Sequence, residues 1–282
     1  MLKVETAIEK VTLYNGADDR AAQDATILIS GEKIVYSGSH SKAPSYEAKE
    51  VMDGKGQFAL PGLIDLHVHG LVDTATLLSF LQNGVTSIRD LASDPFVALE
   101  WKAKEQSGII DSPRIFISGP VLTCKGGYPE NVWGPKIASP VQGRYQAEEK
   151  VRKLVGLGMD VLKIGLEHEL GPCLSETEVS AIVAAAHALS KRVAAHITNE
   201  ADFEVCVKAG VDEVAHVPSR PVSDDLWKEA VKKKMLIIPT LHAHAGWAEE
   251  WKRKADHPFG QYCQHGFRAG HHQCQINLER FL

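Results

Sequence analysis

The chain has 282 residues, of which 44% are hydrophobic and 24% are charged, as in an ordinary globular protein. Its net charge of −5 gives no polybasic surface of the kind that binds nucleic acids or anionic membranes. No apolar run approaches the ~18 residues of a membrane span, and the N-terminus has no signal-peptide core. We expect a reducing, cytoplasmic location, because no C-x-x-C pair occurs among Cys124, Cys173, Cys206, Cys263 and Cys274.

The first 58 residues have the pattern of short strands separated by turns. Runs rich in β-branched and aromatic residues at Val11–Tyr14, Ala25–Ile29 and Ile34–Tyr36 are each bounded by a polar residue followed by glycine. So few strands cannot bury a core alone. We therefore predict a small antiparallel meander over residues 1–58 that forms part of a β-sandwich.

From Phe58 onward, apolar strands alternate with helical segments. Seven such strands joined by six crossovers indicate parallel βαβ units, and no G-x-G-x-x-G motif opens a helix. We predict an α/β fold with a TIM-like (β/α)₈ barrel over residues 59–257, with seven visible strands, and an atypical tail over 258–282. The predicted helices are Thr74–Gln82, Asp94 to near Gly108, Gln146–Gly156, and three that begin at Ser175, Asn199 and Ser223.

Four histidines and one lysine lie on the predicted barrel strands. His67 and His69 are two residues apart on the first strand, so both point to the same face, at the end where barrel active sites lie. His196 and His216 end the fifth and sixth strands, and Lys163 lies in the apolar fourth. One such residue alone is usually an ordinary core or strand-end residue. All five on one rim predict a metal site that suits zinc, manganese, iron or nickel.

Lys163 has a second chemical possibility. Desolvation lowers the pKa of a lysine in an apolar strand, so the amine tends to be neutral. A neutral amine can add carbon dioxide and become a carbamate, which is an oxygen ligand able to bridge two cations. The alternative is a lysine that extends its charged end out of the strand into solvent.

The segment LPGLIDLHVH, followed in order by Lys163, His196 and His216, resembles the amidohydrolase superfamily of metal-dependent hydrolases. GVTSIRDL, GMDVLKI, KRVAAHI, AGVDEVAHV and LIIPTL are similar to its imidazolonepropionase-like and Xaa-Pro-dipeptidase-like branch. The resemblance implies two divalent cations, and zinc is the expected identity of both. One is held by His67, His69 and Lys163, and the other by carboxylated Lys163, His196 and His216.

The same resemblance implies a reaction and leaves the substrate open. It implies hydrolysis of a C–N bond in a dipeptide, an N-acyl amino acid or a cyclic amide, with Lys163 and His216 as catalytic residues. The alternatives are ring deamination, which commonly uses one metal, and a chain without catalytic activity. No nucleic acid or membrane partner is expected, and a homo-oligomer is left open.

A few further residues have a weaker signal. Tyr128 and His242 follow the third and seventh strands, at the predicted barrel mouth, and are candidates for substrate contact. The alternatives are an ordinary glycine turn and a solvated loop histidine. For Asp65, and for Arg89 followed by Asp90, we predict a structural hydrogen bond and a structural ion pair respectively.

The end of the chain departs from the resembled family, which places an aspartate at the end of strand eight to take a proton from water and pass it to the leaving nitrogen. After Leu241 the only aspartate is Asp256, within the helix-like EEWKRKADHP. Residues 257–282 contain no β-branched apolar run that could supply strand eight. We therefore expect a natural short form or a truncated or frameshifted product that lacks the family's C-terminal part. Its hydrolysis would be weak or absent, since a positioned base contributes about 10²–10⁴-fold.

Overall fold

The computed structural model describes residues 1–17, 19–71 and 73–242. Two compact units are present, Met1–Leu63 and a second that begins at Ile64. Within these described ranges, no helix is long and apolar enough to cross a membrane. Asp256 and the predicted tail over 258–282 lie outside the described residues.

The first unit is one five-stranded sheet built around β1 (Leu2–Leu13). β1 pairs antiparallel with β2 (Ala22–Ser30), which pairs antiparallel with β3 (Lys33–Ser39). On its other side β1 pairs parallel with β4 (Tyr46–Asp53) and β5 (Phe58–Ala59). The three predicted runs therefore form the predicted antiparallel meander, and the parallel strands β4 and β5 were not predicted. The chain after β3 crosses over to the far side of β1 instead of turning back in a hairpin.

The second unit has the predicted alternation of strands and helices. Every strand pairing in its six-stranded sheet is parallel, and so is the pairing of β7 with β8 in its three-stranded sheet (β6–β7–β8). Within the described residues these strands form two sheets and not a closed barrel. The strands are β6 (Leu63–Val68), β7 (Val85–Asp90), β8 (Arg114–Ile117), β9 (Val121–Cys124), β10 (Ala138–Val141), β11 (Leu162–Gly165), β12 (Val193–His196), β13 (Glu213–Ala215) and β14 (Leu236–Ile238).

The helices begin and end largely where their capping residues predict. Ser175 Oγ accepts a hydrogen bond from the Glu178 backbone N–H at 3.3 Å, and the Glu178 carboxylate accepts one from the Ser175 N–H at 2.8 Å. Ser223 occupies an N-cap position, but its side chain makes no capping hydrogen bond. The helices are α1 (Thr74–Gln82), α2 (Pro95–Gln106), α3 (Glu130–Trp133), α4 (Gly143–Leu157), α5 (Glu176–Ala188), α6 (Glu200–Ala209) and α7 (Asp224–Lys232).

Two short strands of the six-stranded sheet, β9 and β10, were not predicted. β9 follows β8 after Gly119, whose φ of +67° is in the left-handed region, and pairs with β11 through Leu122 and Ile164. β10 contains Pro140, a residue that argues against a strand in a sequence pattern because it cannot donate a ladder hydrogen bond. β10 was thus missed because of its proline, whereas β9, with the strand-forming sequence VLTC, is only four residues long and follows β8 after a short turn.

The two central strands fix the location of the candidate site. All four residues of β11 and all four of β12 are buried, as expected for parallel strands covered on both faces. Lys163 and His196 belong to these two strands, so their polar side chains lie within the interior of the second unit.

Candidate metal centre

Four imidazole rings converge at the carboxyl ends of the parallel strands. His67 is in β6, His69 directly follows that strand, His196 ends β12, and His216 directly follows β13. The ring centroid of His67 lies 4.8 Å from that of His69 and 5.0 Å from that of His216. His196 and His216 are 4.8 Å apart, and the Nε2 atoms of His67 and His69 are separated by 2.9 Å. The rings therefore form one continuous cluster.

Lys163 is the buried amine of this region. Its side chain is 3% exposed, and its Nζ has no hydrogen-bond partner among the residues that the structure describes. Burial and then the positive charge of Arg89 lower the pKa of Lys163 to about 7, against an opposing effect of Glu213. A large fraction of this lysine is therefore a neutral amine near neutral pH, which is the form that can act as a nucleophile or ligand.

Arg89 and Glu213 form a buried ion pair near this lysine. Arg89 Nη1 lies 2.6 Å from Glu213 Oε1, with the two side chains 12% and 2% exposed. Arg89 Nε also donates a hydrogen bond of 2.9 Å to the Leu66 carbonyl on β6. The predicted structural ion pair of Arg89 is therefore present, but its partner is Glu213 and not the adjacent Asp90. The arginine extends across to β13 instead of pairing along its own strand.

His216 is held in place by its backbone and by a threonine. Its φ of +77° is in the left-handed region, which a histidine rarely adopts and which is often found at functional sites. His216 Nδ1 lies 2.5 Å from Thr240 Oγ1, so one ring nitrogen is oriented by a hydroxyl group. Such a contact on the second ring nitrogen is a usual feature of metal-binding histidines.

His196 has a carboxylate on one side and an aromatic ring on another. Its Nε2 lies 3.5 Å from Glu167 Oε2, and the same carboxylate oxygen accepts a hydrogen bond of 2.5 Å from Thr198 Oγ1. The Tyr128 ring stacks on His196 with centroids 4.2 Å apart. Burial raises the pKa of Tyr128 to about 12, so its hydroxyl keeps its proton and can donate a hydrogen bond.

Three of the four histidines have lowered pKa values. Burial is the largest cause for His67, His69 and His196, and the charge of Lys163 acts in the same direction on each of them. Glu167 opposes the shift at His196. These imidazoles are therefore neutral at pH 7, which is the form that binds a cation.

The lowered pKa of His67 predicts a specific pH dependence for the metal-free chain. The unfolded chain takes up a proton on this histidine below its usual pKa of 6.5, while the folded chain does not, so stability falls as pH falls. We expect His67 alone to account for a loss of about 1 kcal/mol between about pH 7.5 and about pH 5.5.

Urea unfolding in the presence of a chelator at the two pH values measures this loss. His67→Gln should reduce the dependence by about this amount and leave the contributions of His69 and His196. Equal dependence in His67→Gln and the parent chain would contradict the assignment.

The donor set fits a divalent metal. The cluster offers neutral imidazole nitrogens and an amine without a hydrogen-bond partner in the described part of the chain. His67 Nδ1 likewise has no partner among the described residues. Imidazole nitrogens are ligands that zinc accepts. The structure thus brings together all five residues that the sequence singled out for a metal site.

The remaining sequence candidates lie in different surroundings. Tyr128 is part of the cluster through its stacking on His196. His242 follows β14 by four residues and has an exposed side chain. Asp65 accepts a hydrogen bond of 3.0 Å from the His67 backbone N–H, in keeping with its predicted structural role.

Sequence reasoning missed Glu167, Glu213 and Thr240 as neighbours of the cluster. Glu167 and Thr240 each come within four residues after a strand that the pattern did predict, which is the available signal. Glu213 lies at the start of its strand and is recognisable only through its distant partner Arg89.

Comparison with known proteins places this arrangement in a family. Residues 58–246 match the profile of the amidohydrolase family. An imidazolonepropionase from Idiomarina loihiensis is 40% identical over 65 residues, which cover 22% of this chain and 16% of that protein. An ochratoxinase from Aspergillus niger is 23% identical over 287 residues, covering 82% of this chain and 59% of the relative. An adenine deaminase 2 from Shouchella clausii is 32% identical over 91 residues, or 31% of this chain and 16% of the relative.

Solved structures show the same fold. A Xaa-Pro dipeptidase crystallised with methionine in its active site has a TM-score of 0.83 and 22% identity, covering 98% of this chain and 77% of that one. The A. niger ochratoxinase structure has a TM-score of 0.73 and 22% identity, with 87% and 67% covered. The chain spans between 16% and 59% of the lengths of the curated relatives named above. Because the family profile matches about two thirds of its length, the chain belongs to the amidohydrolase family.

Proposed function

We propose that this chain is the metal-binding part of a hydrolase that cleaves a C–N bond of a small amide, a dipeptide-like compound or a cyclic amide. The observation that carries the proposal is the convergence of His67, His69, His196 and His216 beside the buried amine of Lys163. Clustered imidazoles in their neutral form are suited to bind a metal ion.

We assign His67, His69 and Lys163 to one divalent cation, and carboxylated Lys163, His196 and His216 to a second. Zinc is the preferred cation because the set combines imidazole nitrogen with oxygen, and manganese, iron or nickel are the alternatives. When bound, such cations supply Lewis acidity, lowering the pKa of water and polarising the carbonyl to be attacked. Lys163 has the buried, partly neutral amine that carbamate formation requires.

The residues around the ligands orient them. Thr240 Oγ1 and the Glu167 carboxylate contact one ring nitrogen each of His216 and His196, and such contacts fix the orientation of a ligand ring. Tyr128 keeps its proton, so its hydroxyl is suited to donate a hydrogen bond to a substrate carbonyl or carboxylate. We therefore propose that Glu167 and Thr240 orient the histidine ligands and that Tyr128 contacts the substrate.

The names of the relatives support the substrate class. One structural neighbour is described as a Xaa-Pro dipeptidase, a name that denotes a dipeptide substrate, and other relatives are named ochratoxinase and imidazolonepropionase. A small amide or dipeptide is therefore the first substrate class to test. We also propose a cytoplasmic location, on the basis of the cysteine pattern, with Cys124, Cys173 and Cys206 present as free thiols.

Ring deamination is the second candidate, favoured by the similarity to an adenine deaminase over 91 residues. The number of cations bound per chain distinguishes the two functions, since ring deamination commonly needs one cation and the proposed amide hydrolysis needs two. Lys163 favours the second, because a carbamate has a purpose as a bridge between two cations.

Lys163→Ala tests the two-metal hypothesis. We expect the variant to bind one metal equivalent fewer than the parent chain and to lose any amide hydrolysis that the parent chain shows, because the shared ligand is gone. Short carboxylic acids added to the variant should restore part of the second equivalent by replacing the carbamate oxygens. Elemental analysis and a panel of dipeptides and N-acyl amino acids provide the measurements.

Lys125→Ala is the matched control for that experiment, because Lys125 is exposed in the loop after β9. It should keep both the metal content and the hydrolysis of the parent chain. A metal content in Lys163→Ala equal to that of the parent chain, or an unmodified Lys163 by mass analysis of the metal-loaded parent, would show the two-metal hypothesis to be wrong. Deamination of a ring substrate by the metal-loaded parent chain, without turnover of any amide, would refute the hydrolase proposal and leave the metal site in place.

A further inference from the structure

A second group of metal-ligating side chains lies beside the candidate metal centre and shares no residue with it. His168 follows Glu167 in the loop after β11, Cys173 lies further along the same loop, and Asp202 is in the first turn of α6. Their imidazole nitrogen, thiol sulfur and carboxylate oxygen all lie within 4.8 Å of one another. We call these three residues the His168–Cys173–Asp202 cluster.

Asp202 is the anchor of this cluster. Its side chain is completely buried, and its Oδ2 accepts hydrogen bonds from Asn199 Nδ2 at 2.6 Å and from the His168 backbone N–H at 3.3 Å. Its Oδ1 is in direct contact with His168 Nδ1. A carboxylate fixed in this way by neighbouring donors is preorganised as a ligand, because it does not need to change rotamer when a cation arrives.

Cys173 approaches from the opposite end of the same loop. Its Sγ accepts a hydrogen bond of 3.1 Å from the Glu167 backbone N–H, which holds the sulfur toward the cluster. His168, by contrast, has a side chain that is 50% exposed. The cluster therefore has two held donors on the inside and one adjustable donor at the surface, through which a cation and a coordinating water can reach it.

The combination of donors selects a class of cation. Thiolate sulfur, imidazole nitrogen and carboxylate oxygen are the three ligand types of zinc sites, and hard cations such as calcium or magnesium avoid sulfur. A buried carboxylate also gains from a nearby positive charge, since desolvation disfavours its ionised form. Three protein ligands leave a fourth tetrahedral position, which solvent can fill beside the exposed His168.

We propose that His168, Cys173 and Asp202 bind one zinc-like divalent cation at a site separate from the candidate metal centre. Binding of the cation releases the proton of the Cys173 thiol, so the affinity for the cation increases with pH. Binding joins the loop after β11 to the start of α6. The Glu167 N–H donates a hydrogen bond to Cys173, and the Glu167 side chain lies beside His196. A cation bound to Cys173 therefore also restrains Glu167, which contacts the candidate metal centre.

Cobalt(II) titration of the chelator-treated chain tests the proposal, because sulfur ligation gives a near-ultraviolet sulfur-to-cobalt charge-transfer band that imidazole and oxygen ligands do not give. The residues assigned to the candidate metal centre contain no sulfur, so the band reports on a thiolate site alone. We expect the band in the parent chain, its loss in Cys173→Ser, and at least about 10-fold weaker cobalt binding by that band in His168→Ala.

Cys124→Ser is the matched control, since Cys124 lies close to this loop and donates its thiol to the Pro172 carbonyl at 2.9 Å without belonging to the cluster. It should keep the band. Circular dichroism of each variant shows whether it has folded. A folded parent chain without the band overturns the proposal, and so does a band that persists in Cys173→Ser, because the thiolate would then belong to another cysteine.

The proposal does not depend on the hydrolase function. In a His67→Ala variant, which is designed to empty part of the candidate metal centre, the cobalt band should remain at the intensity of the parent chain. Loss of the band in His67→Ala would mean that the two groups form a single site and would overturn the separate site.

Discussion

Replacing His67 by alanine is expected to remove at least one metal equivalent per chain and to weaken the remaining binding at the candidate metal centre by more than about 100-fold, since altering even an outer contact of a metal ligand typically costs 10–100-fold. His67 is the central ring of the cluster, with contacts to both His69 and His216. Its loss therefore removes one ligand and leaves the opposite side of the cluster without a neighbour. Elemental analysis of the purified variant and zinc titration against a chromophoric chelator measure the two effects.

His187→Ala provides the control for that experiment. His187 is half exposed on α5 and pairs with Asp212 at 2.9 Å, away from the converging rings. Its replacement should leave the metal content unchanged. An unchanged content in His67→Ala would refute the assignment of the metal ligands. A fall of equal size in both variants would mean that metal loss follows from general destabilisation.

The second unit was largely predictable because its signals are local. The capping box of Ser175 and Glu178 marks the start of α5, and Asn199 and Gly210 bound α6 within one residue. The parallel pairing of the strands follows from the crossover helices between them. The convergence of His196 and His216 then follows, because the carboxyl ends of parallel strands in one sheet share one edge, whereas the approach of His67 from the three-stranded sheet was predictable only from the expected barrel.

The failures have one physical cause, which is that they depend on partners distant in sequence. β4 pairs with β1 across more than one intervening strand, and no local pattern distinguishes this parallel pairing from a hairpin. Arg89 was assigned to its neighbour Asp90, whereas its partner Glu213 is 124 residues away. The contact of Glu167 with His196 is likewise a tertiary contact, between the loop after β11 and the end of β12.

Removal of the Glu213 carboxylate is expected to be the most destabilising of the changes considered for this chain. The Arg89–Glu213 pair is almost fully buried, at 12% and 2% exposure, with the two charges 2.6 Å apart. Glu213→Leu leaves the Arg89 guanidinium in the interior without its counterion. The guanidinium is also near Lys163, whose pKa its positive charge already lowers. We expect the free energy of unfolding to fall by about 3–5 kcal/mol, the usual cost of leaving one member of a buried pair.

Urea unfolding of the metal-free chain measures this loss, and two further variants identify its cause. Arg89→Met combined with Glu213→Leu removes both charges and should recover much of the stability, since well-packed apolar residues can replace a buried pair at little cost. Asp225→Ala breaks the Lys228–Asp225 pair, whose side chains are 75% and 94% exposed, and should leave stability nearly unchanged because solvent screens the pair. If the double variant is no more stable than Glu213→Leu, the loss comes from packing at position 213 and not from the isolated charge of Arg89. The ion pair would then have no special part in holding β7 and β13 together beneath the histidines.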